Sequence, residues 1–499
     1  MSRKIAFIGN QGGHSVLAFY VAMAENLTTD FDAIAIFSVW LDSEKGIPSE
    51  MGLHGTAVTS FESFVRNQPI VDDVSVAHFI RKYRGVNWSE VVAVERAFTD
   101  YSMLIDSAGE RRESVAYVQQ LVVNMVNYLE SVMIDCDAIV CQTADTLFSL
   151  VAIKLARHLG IRSFAIRPGT LLEPGKGGGF FANTEYLECD RMIASFNERQ
   201  GRTLSPEERV RTDALIRSIR DFGGSTSFHA ATSKGKSRGR RALSPNISSL
   251  LSYLRENSRR DKNIEYIKIN PKRKILGNLL RVWRKWMSRN SYGSISVDVI
   301  PPRSIFFALH YQPEQSTLAQ GLWHANQTAL VENISKSLPL GYTLVVKEHP
   351  WGRGNRPLWQ YRHMNAFYNV IFCDAPSKQI IQRVDAVITV TGTVAMEALV
   401  FDKPAVMLGR NYFEFSDLIY RVSNIQELPE VLARILIDCD YEMQSNREER
   451  LHLFLMAYLD GLVNSFPLTM HAIDWSKALA YELGMPPISL GDKNEVKKF

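Results

Sequence analysis

The chain has little that would staple it or anchor it. Its five cysteines (Cys136, Cys141, Cys189, Cys373, Cys439) are scattered through 499 residues, with no CxxC pair and no neighbouring cluster of histidines. That pattern argues against a disulfide framework and a spacing-defined zinc site, and predicts buried free thiols. No apolar run approaches the roughly 18 residues needed to span a bilayer. The start, Met1-Ser-Arg-Lys, passes into a strand-like IAFIG with no hydrophobic leader region, so a cytoplasmic location is expected. No internal repeat at a period of about 20 to 50 residues is visible. The second half carries no DxD pair at a strand end, which agrees with chemistry that uses no metal.

What is present is a soluble composition, 46% apolar and 22% charged, long enough for two or three domains. The net charge is only +4, but 17 Lys and Arg against 3 acids fall between positions 234 and 289, leaving the remainder acidic. No nucleic-acid reader surrounds this basic stretch, so nucleic acid is not expected as a partner.

Strand and helix signals alternate at both ends of the basic stretch. Ile5 to Ile8 is a buried-strand run, NQGGHS a glycine-rich turn, Val16 to Leu27 a helix and Ala33 to Val39 a second strand. DAIVC at 137 to 141 precedes a helix at Leu147 to Leu159, stopped by Gly160 before the strand Arg162 to Ile166. These signals predict an N-terminal Rossmann-like domain over 1–225. Residues 226–300 read as a basic linker with amphipathic helices. One of these, ILGNLLRVWRKWM, puts Leu276, Leu279, Leu280, Trp283 and Met287 on one face and Arg281, Arg284 and Lys285 elsewhere. Such a helix either packs against its own domain or lies in an anionic lipid interface, making a membrane surface a candidate partner of 234–289. A second α/β unit over 301–425 is expected from the strands FFAL, YTLVV, VIFC, AVITV and AVML, with a long helix from about Leu318 to Ser335. Helices then fill 426–499.

Three polar motifs, QPE (Gln312 to Glu314), EHP (Glu348 to Pro350) and TGT (Thr391 to Thr393), each follow an apolar strand. In an open parallel sheet, strand ends share one rim, where ligands bind. Glu314 would either cap the following helix or serve as a catalytic carboxylate. Lys347 and His349 alternate onto one side of their strand, and an imidazole there can donate to a phosphate oxygen. In the TGT turn, Gly392 permits close backbone approach while Thr391 and Thr393 add hydroxyls, a candidate phosphate cradle. Glu397 stands where it could reach a ribose. Asp374 to Ser377, after the neighbouring strand, could read a nucleobase. On the first domain, Gly12, Gly13 and His14 form a candidate acceptor wall, with Glu95 and Arg167 as weaker candidates.

The stretch ALHYQPEQST, LPLGYTLVVKEHP and NVIFCDAPSKQIIQRVDAVITVTGTVAMEALVFDKPAVMLG resembles the capsule polysaccharide biosynthesis family, which includes transferases of 3-deoxy-manno-octulosonic acid (Kdo). The resemblance spans Phe306 to Gly409, with looser similarity at ERAF (Glu95 to Phe98) and at the helix leading to Arg167. It implies a GT-B-like α/β fold: two Rossmann-like domains facing across a cleft, here with a basic helical insert and C-terminal helices. It further implies a glycosyltransferase of surface polysaccharide, with a nucleotide-sugar donor, CMP-Kdo being the leading candidate, and a glycan or lipid-linked acceptor. His349 and Pro350 would contact the nucleotide phosphate, with Thr391 and Thr393 beside it. Glu314 would lie in the active site as base, nucleophile or donor-binding group. Neither a metal nor a further cofactor is implied. Some capsule Kdo transferases hold two tandem modules, whereas one copy of each motif occurs here. A CDP-polyol phosphotransferase, a nucleotide-sugar epimerase and a non-catalytic scaffold are the alternatives.

Overall fold

The computed structural model describes residues 3–12, 14–27, 31–40, 56–65, 71–95, 98, 114–142, 144, 146–170, 178–221, 271–288, 293–312, 314–465 and 472–484. Each alternating run builds one six-stranded sheet. In the first, β1 (Arg3–Gly12), β2 (Phe31–Trp40), β3 (Thr56–Ser60), β4 (Ala138–Cys141), β5 (Arg162–Pro168) and β6 (Gly179–Ala182) stand in the order β3-β2-β1-β4-β5-β6. All pairs are parallel except β5 with β6. The second holds β7 (Ser304–Ala308), β8 (Thr343–Lys347), β9 (Val370–Phe372), β10 (Ala386–Thr389), β11 (Ala405–Met407) and β12 (Tyr420–Arg421) in the all-parallel order β12-β11-β10-β7-β8-β9.

Both orders follow the Rossmann pattern, and in the second sheet the order reverses between β7 and β10. A crevice therefore opens outside the carboxyl ends of these two strands. The central strands are near-continuous apolar runs because helices cover both faces. Phe306 enters one core while its neighbours Ile305 and Phe307 enter another, all three at 0% exposure. Burial of each such side chain contributes about 1.5–3 kcal/mol.

The helix Leu147–Leu159 has the expected bounds, with Gly160 closing it at φ +74°. β1 is longer than its sequence signal. Asn10 to Gly12 continue the strand, and Gly12 pairs with Trp40.

The second domain differs more. Instead of one long helix from Leu318, the chain forms Gln315–Leu318, a 3-10 turn at Leu322–His324, and then Gln327–Ser337. Gly321 explains the break: its φ is −144°, and a Cβ there would lie 2.3 Å from Val390 Cγ1. Asn326 restarts the helix by accepting from the Ala329 N–H. A further helix, Leu358–Met364, fills the β8-to-β9 crossover.

The C-terminal helices Arg447–Gly461 and Ala472–Glu482 return to the first domain. Trp475 is fully buried there, edge-on to Phe181 at 5.0 Å, and Val463 bridges Gly179. The sheets meet at their carboxyl rims. Tyr412, just beyond β11, hydrogen-bonds Thr170, just beyond β5, and its ring lies 5.1 Å from that of Phe180. Lys378 Nζ donates to the Asp221 carbonyl at 2.9 Å, and the Arg220 guanidinium donates to the Val400 carbonyl at 2.8 and 3.0 Å. Two Rossmann-like domains joined in this way form a GT-B-like fold.

Candidate functional site

The loops after β7 and β10 are tied together by hydrogen bonds, and the Leu309 N–H donates to the carbonyl of Lys347 at the end of β8 at 2.9 Å. Gln327 clamps His310, accepting from its N–H at 2.6 Å and donating to its carbonyl at 3.0 Å. The His310 Nε2 lies 3.1 Å from Thr389 Oγ1, which itself accepts from the Gly392 N–H at 2.9 Å. The Thr389 hydroxyl thus joins the His310 ring to the Gly392 backbone. Burial, reinforced by nearby His349, lowers the His310 pKa to about 4.

A Cβ on Gly392 would sit 2.7 Å from Thr389 Oγ1 and 3.3 Å from His310 Cε1. Glycine is thus required for packing the turn onto His310, and its N–H is committed to Thr389. The Thr391 hydroxyl is buried and donates to the Ser316 carbonyl at 2.9 Å, while the Thr391 carbonyl accepts from Asn411 at 2.7 Å. Gln312 is buried and donates to the Ala325 carbonyl at 2.6 Å. Glu314 is half-buried in the turn between Tyr311, whose ring lies 5.8 Å from that of His349, and Ser316, held by Thr391.

The EHP loop is built on a buried carboxylate. Glu348 accepts from Arg356 Nε at 2.6 Å, the Tyr361 hydroxyl at 2.7 Å and the His349 N–H at 2.8 Å. The Trp351 N–H donates to His349 Nδ1 at 3.2 Å. In the neutral ring the proton then sits on Nε2, making that atom the donor. His349 is half-buried and Pro350 exposed.

Lys347 donates to Ser377 Oγ at 3.1 Å. Burial lowers its pKa, opposed chiefly by the charges of Glu397 and Asp374. Burial raises Glu397 in turn, opposed by Lys378 and Lys347. Arg353 pairs with Asp374 on the same side. This mixed cluster can receive an anion, whose charge would favour the ammonium form of Lys347.

Glu314, Lys347, His349, Thr391, Gly392, Thr393 and Glu397 are thus brought to one rim. Thr393 caps the seven-residue helix Val394–Val400 without a side-chain bond. Arg167 lies at the end of β5 near enough to Tyr412 to influence it electrostatically, and so belongs to the domain junction. Gly12 ends β1, His14 begins the helix His14–Glu25, and Gly13 lies outside the described residues. Glu95 is buried just beyond the helix Trp88–Ala93.

Sequence reading missed His310 and Thr389, although each stands at the same strand ends as QPE and TGT. Two clefts lie elsewhere, about 440 Å³ beside Asp402 and Arg447 and about 690 Å³ beside Arg199 and Asp460. Ion pairs cross both, at 3.3 and 2.7 Å respectively.

Residues 323–427 match the family model described as capsule polysaccharide biosynthesis protein. No curated protein sequence matches the chain. Among solved structures, the Thermosulfurimonas dismutans KpsC beta Kdo 2,4 transferase is 14% identical, covering 65% of this chain and 79% of that one at a TM-score of 0.33. Anabaena Alr3699/HepE in complex with UDP and glucose is 10% identical, covering 97% and 99% at 0.30. S. aureus MnaA with UDP is 12% identical, covering 97% and 98% at 0.26.

Proposed function

We propose, from the match of residues 323–427 to the capsule polysaccharide biosynthesis family model, that this chain is a glycosyltransferase of surface polysaccharide that uses a nucleotide-sugar donor. A CMP-linked acidic sugar such as Kdo is the donor we favour, and a glycan or lipid-linked glycan the acceptor. The observation that carries this reading is the convergence of QPE, EHP and TGT on the rim where the second sheet reverses its strand order.

Transfer breaks the bond between the sugar and the nucleotide phosphate, so negative charge builds on the departing phosphate. His349 would donate from Nε2 to a phosphate oxygen and Lys347 would supply positive charge, performing the stabilisation that a metal performs elsewhere. Glu397 would hold the ribose hydroxyls. Thr393 would assist at the phosphate, whereas the Thr391 hydroxyl would have to leave Ser316 to do so. Glu314 would take the acceptor proton or form a glycosyl intermediate.

A thermal-shift panel with CMP, CDP and UDP tests the donor, because a ligand bound only by the folded state raises its melting temperature. The largest rise with CMP is expected. A response to UDP alone would remove the Kdo assignment, and no response to any nucleotide would remove the transferase. Turnover is expected to persist in EDTA.

A further inference from the structure

The helix Pro271–Ser288 is amphipathic in the opposite sense to a helix packed on a core. Its inward side carries Gly277, Arg281, Arg284 and Ser288 together with Leu280 and Met287, buried or half-buried. Arg281 Nε donates to Asn355 Oδ1 at 2.7 Å, and Arg284 Nη1 donates to the Asn355 carbonyl at 3.0 Å. Gly354 lets the loop approach this closely, since a Cβ there would lie 2.5 Å from the Arg281 carbonyl. With the arginines turned inward, the apolar stripe faces out: Leu276, Leu279, Val282, Trp283 and Trp286 are 54%, 64%, 57%, 50% and 67% exposed. Trp359, on the helix packed beside it, is 61% exposed. The helix does pack against its own domain, as one of the two sequence-based alternatives had it, but it does so through Arg281 and Arg284 and leaves much of its apolar surface exposed.

A patch of this kind calls for a partner. We propose that it docks on an anionic phospholipid surface, with the tryptophans at headgroup depth and the aliphatic side chains below them. Charge chooses this occupant over the alternatives. The helix holds six Lys and Arg and no acid. A second copy would bring like charge against like, four cations on each helix besides the inward Arg281 and Arg284. Residues 222–270 of the same chain hold 10 Lys and Arg against 3 acids, so they too would add like charge. Anionic headgroups neutralise the helix, and interfacial Trp and Leu add the apolar part of the affinity. The Arg281–Asn355 bond continues through Asn355 Nδ2 to the Trp351 carbonyl at 2.6 Å, and the Trp351 N–H reaches His349. Docking would thus hold the EHP loop near the lipid surface, where a lipid-linked acceptor would be presented.

The test is co-sedimentation of the full chain with phosphatidylglycerol-containing or pure phosphatidylcholine vesicles at low salt. Preference for the anionic vesicles is expected, with a loss of about tenfold or more in the double variant Trp283→Glu/Trp286→Glu and a smaller loss in Lys285→Glu. Brominated acyl chains should also quench the tryptophan fluorescence of the unmodified chain, a reading that needs no variant. Absence of anionic-vesicle binding or of quenching overturns the proposal. So does unchanged binding by the double variant, or a concentration-dependent dimer that this variant dissolves while lipid is ignored. The nucleotide thermal shift should be the same in the double variant, so the lipid and transferase readings fail separately.

Discussion

Glu348 and Arg356 form an ion pair with an Nε–Oε2 separation of 2.6 Å and side-chain exposures of 0% and 2%. Because Glu348 also accepts from the His349 N–H, the pair fixes the residue on which the proposed phosphate contact depends. Arg356→Met would leave a buried carboxylate supported only by Tyr361 and a backbone N–H, at a cost of about 3–5 kcal/mol. Denaturant unfolding measures this directly. Stability within about 0.5 kcal/mol of the unmodified chain would show that the pair is incidental.

His349→Ala should lower kcat by about 10²–10³, the usual consequence of deleting one donor to a developing oxyanion. Because the imidazole is half-buried and Glu348 bonds the backbone of His349 rather than its ring, the stability loss should be only about 1 kcal/mol, that of the Trp351 N–H bond to Nδ1. His349→Gln, which keeps an N–H donor, should recover part of the rate. Release of nucleotide from the donor provides the assay, and full activity in the alanine variant would exclude this role.

His310 predicts a pH effect on stability. Its folded pKa, about 4, lies below the ordinary value of 6.5. The unfolded chain therefore binds more protons between those values, and stability rises with pH across that window. The contribution is complete above about pH 6.5, is lost progressively as pH falls to about 4, and amounts to roughly 3 kcal/mol. His324 and His452 are also pulled down by burial, so the informative comparison is His310→Asn against the unmodified chain. Urea midpoints between pH 4 and 7 should show a shallower slope in the variant. An equal slope would remove His310 as a source.

Which parts of this arrangement were legible follows from the range of the forces involved. A short continuous apolar run is a local signal, so β7, β8 and β10 could be read from Phe306, Val345 and Val387 and their neighbours, and the motifs at their ends followed. The break before Gln327 was not legible, because Gly321 yields to Val390, about 70 positions away. The hydroxyls of TGT read as ligand donors, yet the Thr391 hydroxyl is spent on Ser316 through a contact that no local pattern announces. The basic helix had the right period, but which of its faces turns inward was not legible. Periodicity identifies two faces; Asn355, outside the helix, decides which one turns inward.

Gly354 tests that orientation. Its φ of +84° already disfavours any side chain, and a Cβ would also lie 3.1 Å from Lys285 Cβ, so Gly354→Ala should detach the helix from the loop. Trypsin then gains access to Arg281 and Arg284, now held against Asn355, and cleavage there should quicken by about tenfold for each 1.4 kcal/mol of lost docking, if opening limits the reaction. Asn355→Ala removes the same polar anchor without backbone strain and should act in the same direction. Because Asn355 also donates to the Trp351 carbonyl, both variants should raise KM for the donor more than they lower kcat. Rapid cleavage with unchanged kinetics would keep the packing and dismiss its link to His349. Unchanged cleavage in both would mean that the arginines do not hold the helix in place.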